Sequence, residues 1–369
     1  MKFVATCLFG MEKFICDDIA ALGYKKTDSI DGRVFFDGDE SAVARCNMWL
    51  RTAECLYIEV GRAKTLSFEE LFEAALALPW ENFIGAKDAF PVSGHCIKSK
   101  LASIPNCQKI IKKAIVKRLS SKYGIEWFEE SGVSIGVEFF IFKDIAYFMI
   151  DTSGVGLHKR GYRLLQNDAP LRETLASGLV NISRLQKDEM LWDPMCGSGT
   201  IAIEAARKLL NIAPGIDRSF RFEQYPWYDE KYARLAREEA NDSILSEKLD
   251  IFATDIDESA LEIAAKNAEK GRVGDKIRFF KLDVGKFYNP QRRGTVITNP
   301  PYGERLLTHE EAVALYKKMG RAFSVVERWH LYILCGNESF EEAFGKKADK
   351  VRKLYNGMLK CNLYEYFKR

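Results

Sequence analysis

The stretch Thr295-Val296-Ile297-Thr298-Asn299-Pro300-Pro301-Tyr302 constrains the fold more than any other part of the chain. Its β-branched run favours a strand, and Asn-Pro-Pro ends that strand. Each proline lacks an N–H and fixes φ, and each biases the preceding residue away from the helical region. The strand must run into a rigid, extended exit that holds an amide (Asn299) and an aromatic ring (Tyr302). Such an exit can hold a flat ring and accept hydrogen bonds from an amino group on its edge.

Strands and helices alternate around this exit. Strands are expected over 190–193, 251–255, 277–282, 295–298 and 330–335, and helices over 200–210, 258–270 and 310–326. The chain closes with apolar runs over 350–355 and 358–367 about Asn356-Gly357, a strong hairpin turn. A doubly wound parallel sheet with helices on both faces follows, and the antiparallel hairpin is the ending expected of an α/β, Rossmann-like class I methyltransferase fold.

The first of these strands leads into Asp193-Pro194-Met195-Cys196-Gly197-Ser198-Gly199-Thr200. Its glycines allow a tight turn and close approach of a ligand before the next helix. Gly197, Gly199 and Ala202 also satisfy G-x-G-x-x-A, so a nicotinamide or flavin site has to be weighed. A dinucleotide site wants an acidic residue about 20 positions further on. Here the second strand ends at Asp255, displaced by an insert over 211–250, and a dehydrogenase leaves the proline exit unexplained. S-adenosylmethionine accounts for more of the chain. It carries a sulfonium, an ammonium, a ribose diol and an adenine, and each asks for acceptors at strand ends. Asp193 suits the methionyl end, Asp255 the ribose hydroxyls and Asp283 the adenine amino group, with Ile256 and Val284 placed to sandwich the ring. The expected cofactor loop comprises Pro194, Cys196, Gly197, Ser198, Gly199 and Thr200. One such aspartate alone reads as a cap or a turn. Three at successive strand ends, with the glycine loop and the proline exit, read as one site. Cys196 reads as a packing residue, not a nucleophile.

The first 165 residues are organised differently. Their expected order β-α-β-β-α-β, over residues 3–60, is that of a ferredoxin-like unit. A second α+β unit follows. Residues 1–165 carry 22 basic and 21 acidic side chains, yet His95–Ile125 holds eight basic residues and no acidic one. Lys98, Lys100, Lys109, Lys112, Lys113 and Lys117 lie in this stretch, and an apolar stripe through Ile110, Ile111, Ala114, Ile115 and Leu119 leaves the helix lysines largely outside the core. A solvated helix face is the bland alternative. Segregation of charge within a neutral half favours a phosphate-binding surface. Lys159, Arg160 and Arg163, in a glycine-rich linker, are further candidates for touching backbone phosphate. The chain's net charge of only +3 means that any nucleic-acid role must rest on such patches. Its nine cysteines include no C-x-x-C pair and its four histidines are scattered, so no metal is expected. The N-terminus lacks a signal-peptide pattern and no run approaches the length of a membrane span, so a cytoplasmic protein is expected.

Residues 95–101, Asn106-Cys107-Gln108-Lys109 and the basic helix after them resemble the THUMP domain, an RNA-binding module of RNA-modifying enzymes. The resemblance extends over the whole chain through residues 157–163, Ala169-Pro170-Leu171-Arg172-Glu173-Thr174-Leu175-Ala176, residues 193–200 with Glu204-Ala205-Ala206, Asn211-Ile212-Ala213-Pro214-Gly215, and Asn299–Leu306. On these residues the chain resembles the THUMP-containing RNA methyltransferases related to bacterial 23S rRNA guanine-N2 methyltransferases, a family often labelled N6-adenine-specific DNA methylase. The resemblance implies methyl transfer from S-adenosylmethionine to an exocyclic amine of a base in RNA, with 23S rRNA or a pre-ribosomal particle as partner. It also implies Asn299, Pro300, Pro301 and Tyr302 as the catalytic residues. The expected domains are a ferredoxin-like domain (1–60), a THUMP domain (61–155), a linker (156–168) and a methyltransferase domain (169–369). An adenine-N6 methyltransferase on RNA or DNA, and a non-catalytic RNA-binding assembly factor, are the alternatives.

Overall fold

A computed structural model describes residues 1–163, 171–287, 293–302, 308–324, 328–357 and 359–367. Part of the expected linker, Ala169-Pro170, and Gly303 to Leu306 lie outside the described residues.

Two seven-stranded sheets carry the fold. The first is built from β1 (Lys2–Cys7), α1 (Glu12–Ala21), β2 (Lys25–Ile30), β3 (Arg33–Asp37), α2 (Ser41–Trp49), β4 (Ala53–Lys64), α3 (Phe68–Leu76), β5 (Val92–Ile97), α4 (Ile104–Tyr123), β6 (Val137–Phe142) and β7 (Ile145–Asp151). Its strand order is β2-β3-β1-β4-β7-β6-β5. The ferredoxin-like and second units therefore share one sheet, joined where β4 pairs with β1 on one side and β7 on the other. The boundary expected at residue 60 falls inside β4.

The second sheet comprises β8 (Met190–Asp193), β9 (Ile251–Asp255), β10 (Ile277–Lys281), β11 (Gly294–Thr298), β12 (Trp329–Cys335), β13 (Lys350–Asn356) and β14 (Leu359–Tyr366). Its helices are α5 (Glu173–Ser183), α6 (Thr200–Leu209), α7 (Glu230–Asp242), α8 (Glu258–Lys270), α9 (His309–Ser324) and α10 (Phe340–Phe344). Strand order is β10-β9-β8-β11-β12-β14-β13. The first five strands in that order are parallel, β14 runs antiparallel to β12, and β13 pairs antiparallel with β14. From β8 the chain runs outward to β10, then returns to β11 on the other side of β8. The carboxyl ends of β8 to β11 lie on one edge about that switch point, where open α/β sheets bind ligands.

The insert over 211–250 is not a passive loop. Its helix α7 packs on α2 of the N-terminal half. Arg45 grips Glu239 through two hydrogen bonds of 2.8 and 2.7 Å. The Tyr228 hydroxyl donates to the Glu40 carbonyl (3.0 Å) and Arg51 donates to the Ile212 carbonyl (2.9 Å). At Gly215 a Cβ would meet the Asn47 carbonyl oxygen and Met48 Cα at 2.9 Å, so only glycine lets the two halves approach there. No helix of the described residues is long and apolar enough to cross a membrane.

Candidate cofactor and substrate site

β8 delivers Asp193 to the sheet edge with 1% of its surface exposed. Burial pushes its carboxyl up to about 7, an effect partly offset by Thr298 at the end of β11. The loop after it turns through Gly197 (φ +51°) and Gly199 (φ +81°), left-handed conformations that glycine adopts without strain. Three contacts hold the loop. Cys196 N–H donates to the Thr254 carbonyl (2.9 Å), Gly197 N–H to Asp255 Oδ2 (2.9 Å), and Asn267 Nδ2 to the Ser198 carbonyl (3.2 Å). The loop then opens α6 at Thr200, whose hydroxyl accepts from Arg163 Nη2 at 3.1 Å. Cys196 is buried, and burial holds its thiol well above the usual range, as befits packing and not attack.

Asp255 ends β9 and does double duty, since its other oxygen accepts from Asp257 N–H at 3.0 Å. Beside it Ile256 is 63% exposed, a large apolar side chain open to a flat ligand. Beyond β10, Asp283 accepts from Gly285 N–H (2.7 Å) and from Lys318 Nζ on α9 (2.5 Å). Lys318 holds its carboxyl below the usual range. Val284, expected to face Ile256 across a ring, is only 5% exposed and packs with Phe287 in the core, so Ile256 offers most of the apolar surface.

The residues fit S-adenosylmethionine. No atom of the described residues lies within 4 Å of where a Gly197 Cβ would sit, so the loop backbone faces open space. The buried Asp193 carboxyl suits an ammonium, and the Asp255–Ile256 and Asp283 strand ends suit a nucleoside.

β11 pairs with β8 through Val296↔Trp192, which brings Thr298 and Asn299 to the same edge as Asp193. Asn299 Oδ1 is buried and has no hydrogen-bond partner among the described residues. The Pro301 carbonyl accepts from the Tyr316 hydroxyl of α9 at 3.1 Å. Tyr302 is pinned from β13 and β14: its hydroxyl accepts from Cys361 Sγ (3.3 Å) and Asn356 Nδ2 (3.4 Å). Its ring lies against Gly336, where a Cβ would come within 2.8 Å of it.

The basic candidates divide. α4 buries Cys107, Ile111, Ala114, Ile115 and Leu119 and leaves Lys109, Lys113 and Lys117 exposed, as are Lys98, Lys100 and Lys159. Three expectations are corrected. Lys112 lies half-buried over the Phe90 ring, its ammonium committed to the Phe90 carbonyl (3.0 Å) and to Glu130 (2.5 Å). Arg160 is 1% exposed and spends its guanidinium on the Leu157 carbonyl (2.7 Å) and the Arg51 carbonyl. Arg163 is bound to Glu173 (3.0 Å), the Leu171 carbonyl and Thr200. These three hold structure and are not free for phosphate. Tyr316 and Lys318 carry no sequence signal, because their partners lie in the exits after β11 and β10.

Comparison with known proteins fits this layout. The RMKL-like methyltransferase domain family matches residues 160–365, the RlmL ferredoxin-like domain 2–55 and the THUMP domain 66–151. The Bacillus subtilis (strain 168) protein named "Putative RNA methyltransferase YpsC" is 44% identical, over 99% of this chain and 96% of its own. The ribosomal RNA large subunit methyltransferase K/L of Psychromonas ingrahamii is 30% identical over 97% of this chain, which spans 49% of that relative's length. The crystal structure of SMU.472 in complex with SAH superposes with a TM-score of 0.92 at 40% identity, covering 100% of this chain and 98% of that one. The chain belongs to the RMKL-like methyltransferase family, and S-adenosylmethionine is the methyl donor that its glycine loop and strand ends fit.

Proposed function

We propose that the chain methylates an exocyclic amino nitrogen of an RNA base, guanine N2 in 23S rRNA. The observation that carries this reading is the buried Asn299 Oδ1, without a hydrogen-bond partner among the described residues, at the rigid exit of β11 beside the Asp193 edge. An unsatisfied buried acceptor is costly and marks a place where a donor binds. An exocyclic amine is a poor nucleophile because its lone pair is delocalised into the ring. Asn299 Oδ1 and the Pro300 carbonyl take its two N–H bonds and favour a more tetrahedral nitrogen as attack begins. Tyr302, its hydroxyl fixed by Cys361 and Asn356, stacks on the base, which leaves its helix to enter the site. When bound, S-adenosylmethionine supplies an electrophilic methyl group, and alignment of the amine governs the displacement.

RNA is the substrate class because a THUMP domain precedes the catalytic domain and exposed Lys98, Lys100, Lys109, Lys113 and Lys117 lie in that module. An adenine N6 amine would find the same two acceptors; the sequence resemblance to 23S rRNA guanine-N2 methyltransferases favours guanine. Asn299→Ala is expected to cut methyl transfer at least 100-fold while SAH binds within twofold of the parent affinity. Calorimetry and a radiolabelled methyl assay on total RNA from cells deleted for the gene measure both. Unchanged transfer would remove Asn299 from the chemistry.

A further inference from the structure

Helix α9 touches both halves of the site, through residues two positions apart. Tyr316 donates its hydroxyl to the Pro301 carbonyl at 3.1 Å. That tyrosine is fully buried, and its oxygen also accepts from Cys335 Sγ at 3.5 Å, so its position is fixed from β12. Lys318 reaches the other way, to Asp283 Oδ2 at 2.5 Å. Its stem crosses Gly285, where a Cβ would stand 2.6 Å from Lys318 Cε. The missing side chain at 285 is what lets the lysine lie flat along the turn after β10. Asp283 is thereby held from two directions, by Lys318 and by Gly285 N–H.

We propose that Tyr316 and Lys318 are positioning residues, and that α9 is a strut setting the amine-binding exit relative to the nucleoside end of the cofactor. The inference rests on the reading above, in which Asn299 and Pro300 hold the amine, next to the Pro301 carbonyl that Tyr316 fixes, and Asp283 takes the cofactor's adenine. Neither side chain touches a reacting atom. Tyr316 removes a degree of freedom from the Pro300-Pro301 carbonyls, and a misplaced acceptor lowers the rate without loosening the cofactor. Lys318 keeps one rotamer of a 25%-exposed carboxylate, so its loss falls on affinity, through the cost of ordering Asp283 at binding.

The two roles separate in a crossed measurement on the full chain. SAH affinity is read by calorimetry, and turnover at saturating S-adenosylmethionine by methyl transfer to total RNA from cells deleted for the gene. Lys318→Met should weaken SAH roughly three- to fivefold, in keeping with a half-exposed ion pair. Lys318→Arg should recover most of that loss, and Gly285→Ala, which displaces the stem and keeps the charge, should reproduce part of it. Tyr316→Phe should lower turnover about tenfold with SAH affinity within twofold of the parent. Thermal melting shows that each variant is folded. Asp283→Ala serves as the reference and should weaken SAH tenfold or more. If Asp283→Ala leaves SAH affinity intact, the cofactor reading itself fails. If it weakens SAH while Lys318→Met does not, or if Tyr316→Phe shifts affinity and not turnover, the strut is overturned.

Discussion

Asp193 shows how one residue can tie the site to pH. Its folded-state carboxyl sits at about 7, far above an unfolded aspartate, because burial disfavours the charge. A raised acid pKa means that the folded chain holds a proton the unfolded chain has lost, so this group's contribution to stability falls as pH rises from about 4 to about 7. Ligand binding runs the other way. On the proposal that Asp193 takes the cofactor's ammonium, that ammonium needs the carboxylate, so below pH 7 the proton must leave first. SAH affinity should rise by up to about tenfold between pH 6 and pH 8, with proton release in buffers of different ionisation enthalpy, and Asp193→Asn should flatten that slope. A flat profile in the parent would remove Asp193 from the ammonium. At this scale the sequence was legible where a residue sits in a short motif, as at Asp193, Gly197, Asp255 and Asn299. It was illegible where the partner is remote. Nothing local separates exposed Lys159 from buried Arg160, whose acceptor at Arg51 lies 109 residues away.

At the scale of elements, most strands and helices followed from periodicity and turn chemistry, and the misses have local causes. The unit expected over 3–60 stops short of the end of β4, whose register shifts between Glu59 and Gly61 and which continues to Lys64. α7 went unread because only Ala236 and Ala240 of its thirteen residues are buried, too faint a stripe to show. In α4 the stripe was clear, but which lysines stay in water depended on Phe90 and Glu130 from neighbouring segments. The helix makes a sharp prediction. Replacing Lys109, Lys113 and Lys117 by alanine should reduce the salt slope of RNA binding by roughly 2, while Lys112→Ala should leave the slope unchanged and lower the melting temperature. Equal slopes for the triple variant and the parent would take α4 out of the interface.

For the whole molecule, the insert between α6 and β9 gives the N-terminal module a fixed seat on the catalytic domain. Arg45 and Glu239, 194 residues apart, close that seat with a two-point ion pair. Arg45→Glu should lower methyl transfer several-fold by misplacing RNA that still binds, and the swap Arg45→Glu with Glu239→Arg should restore it; failure of the swap would leave the pair no part in placement. Gly215→Val should be worse than either single change, since no charge swap relieves a clash with backbone. The sequence marks 211–250 as an insert without showing what it holds, because the contacts that seat it on α2 lie in the other half of the chain. If this assembly delivers an RNA base to Asn299 and methylates its amine, nucleoside mass spectrometry of 23S rRNA from cells whose only copy of the gene carries Asn299→Ala should show the loss of a single N2-methylguanosine, mapped to one position. rRNA with every amine-methylated nucleoside intact would take Asn299 out of that reaction.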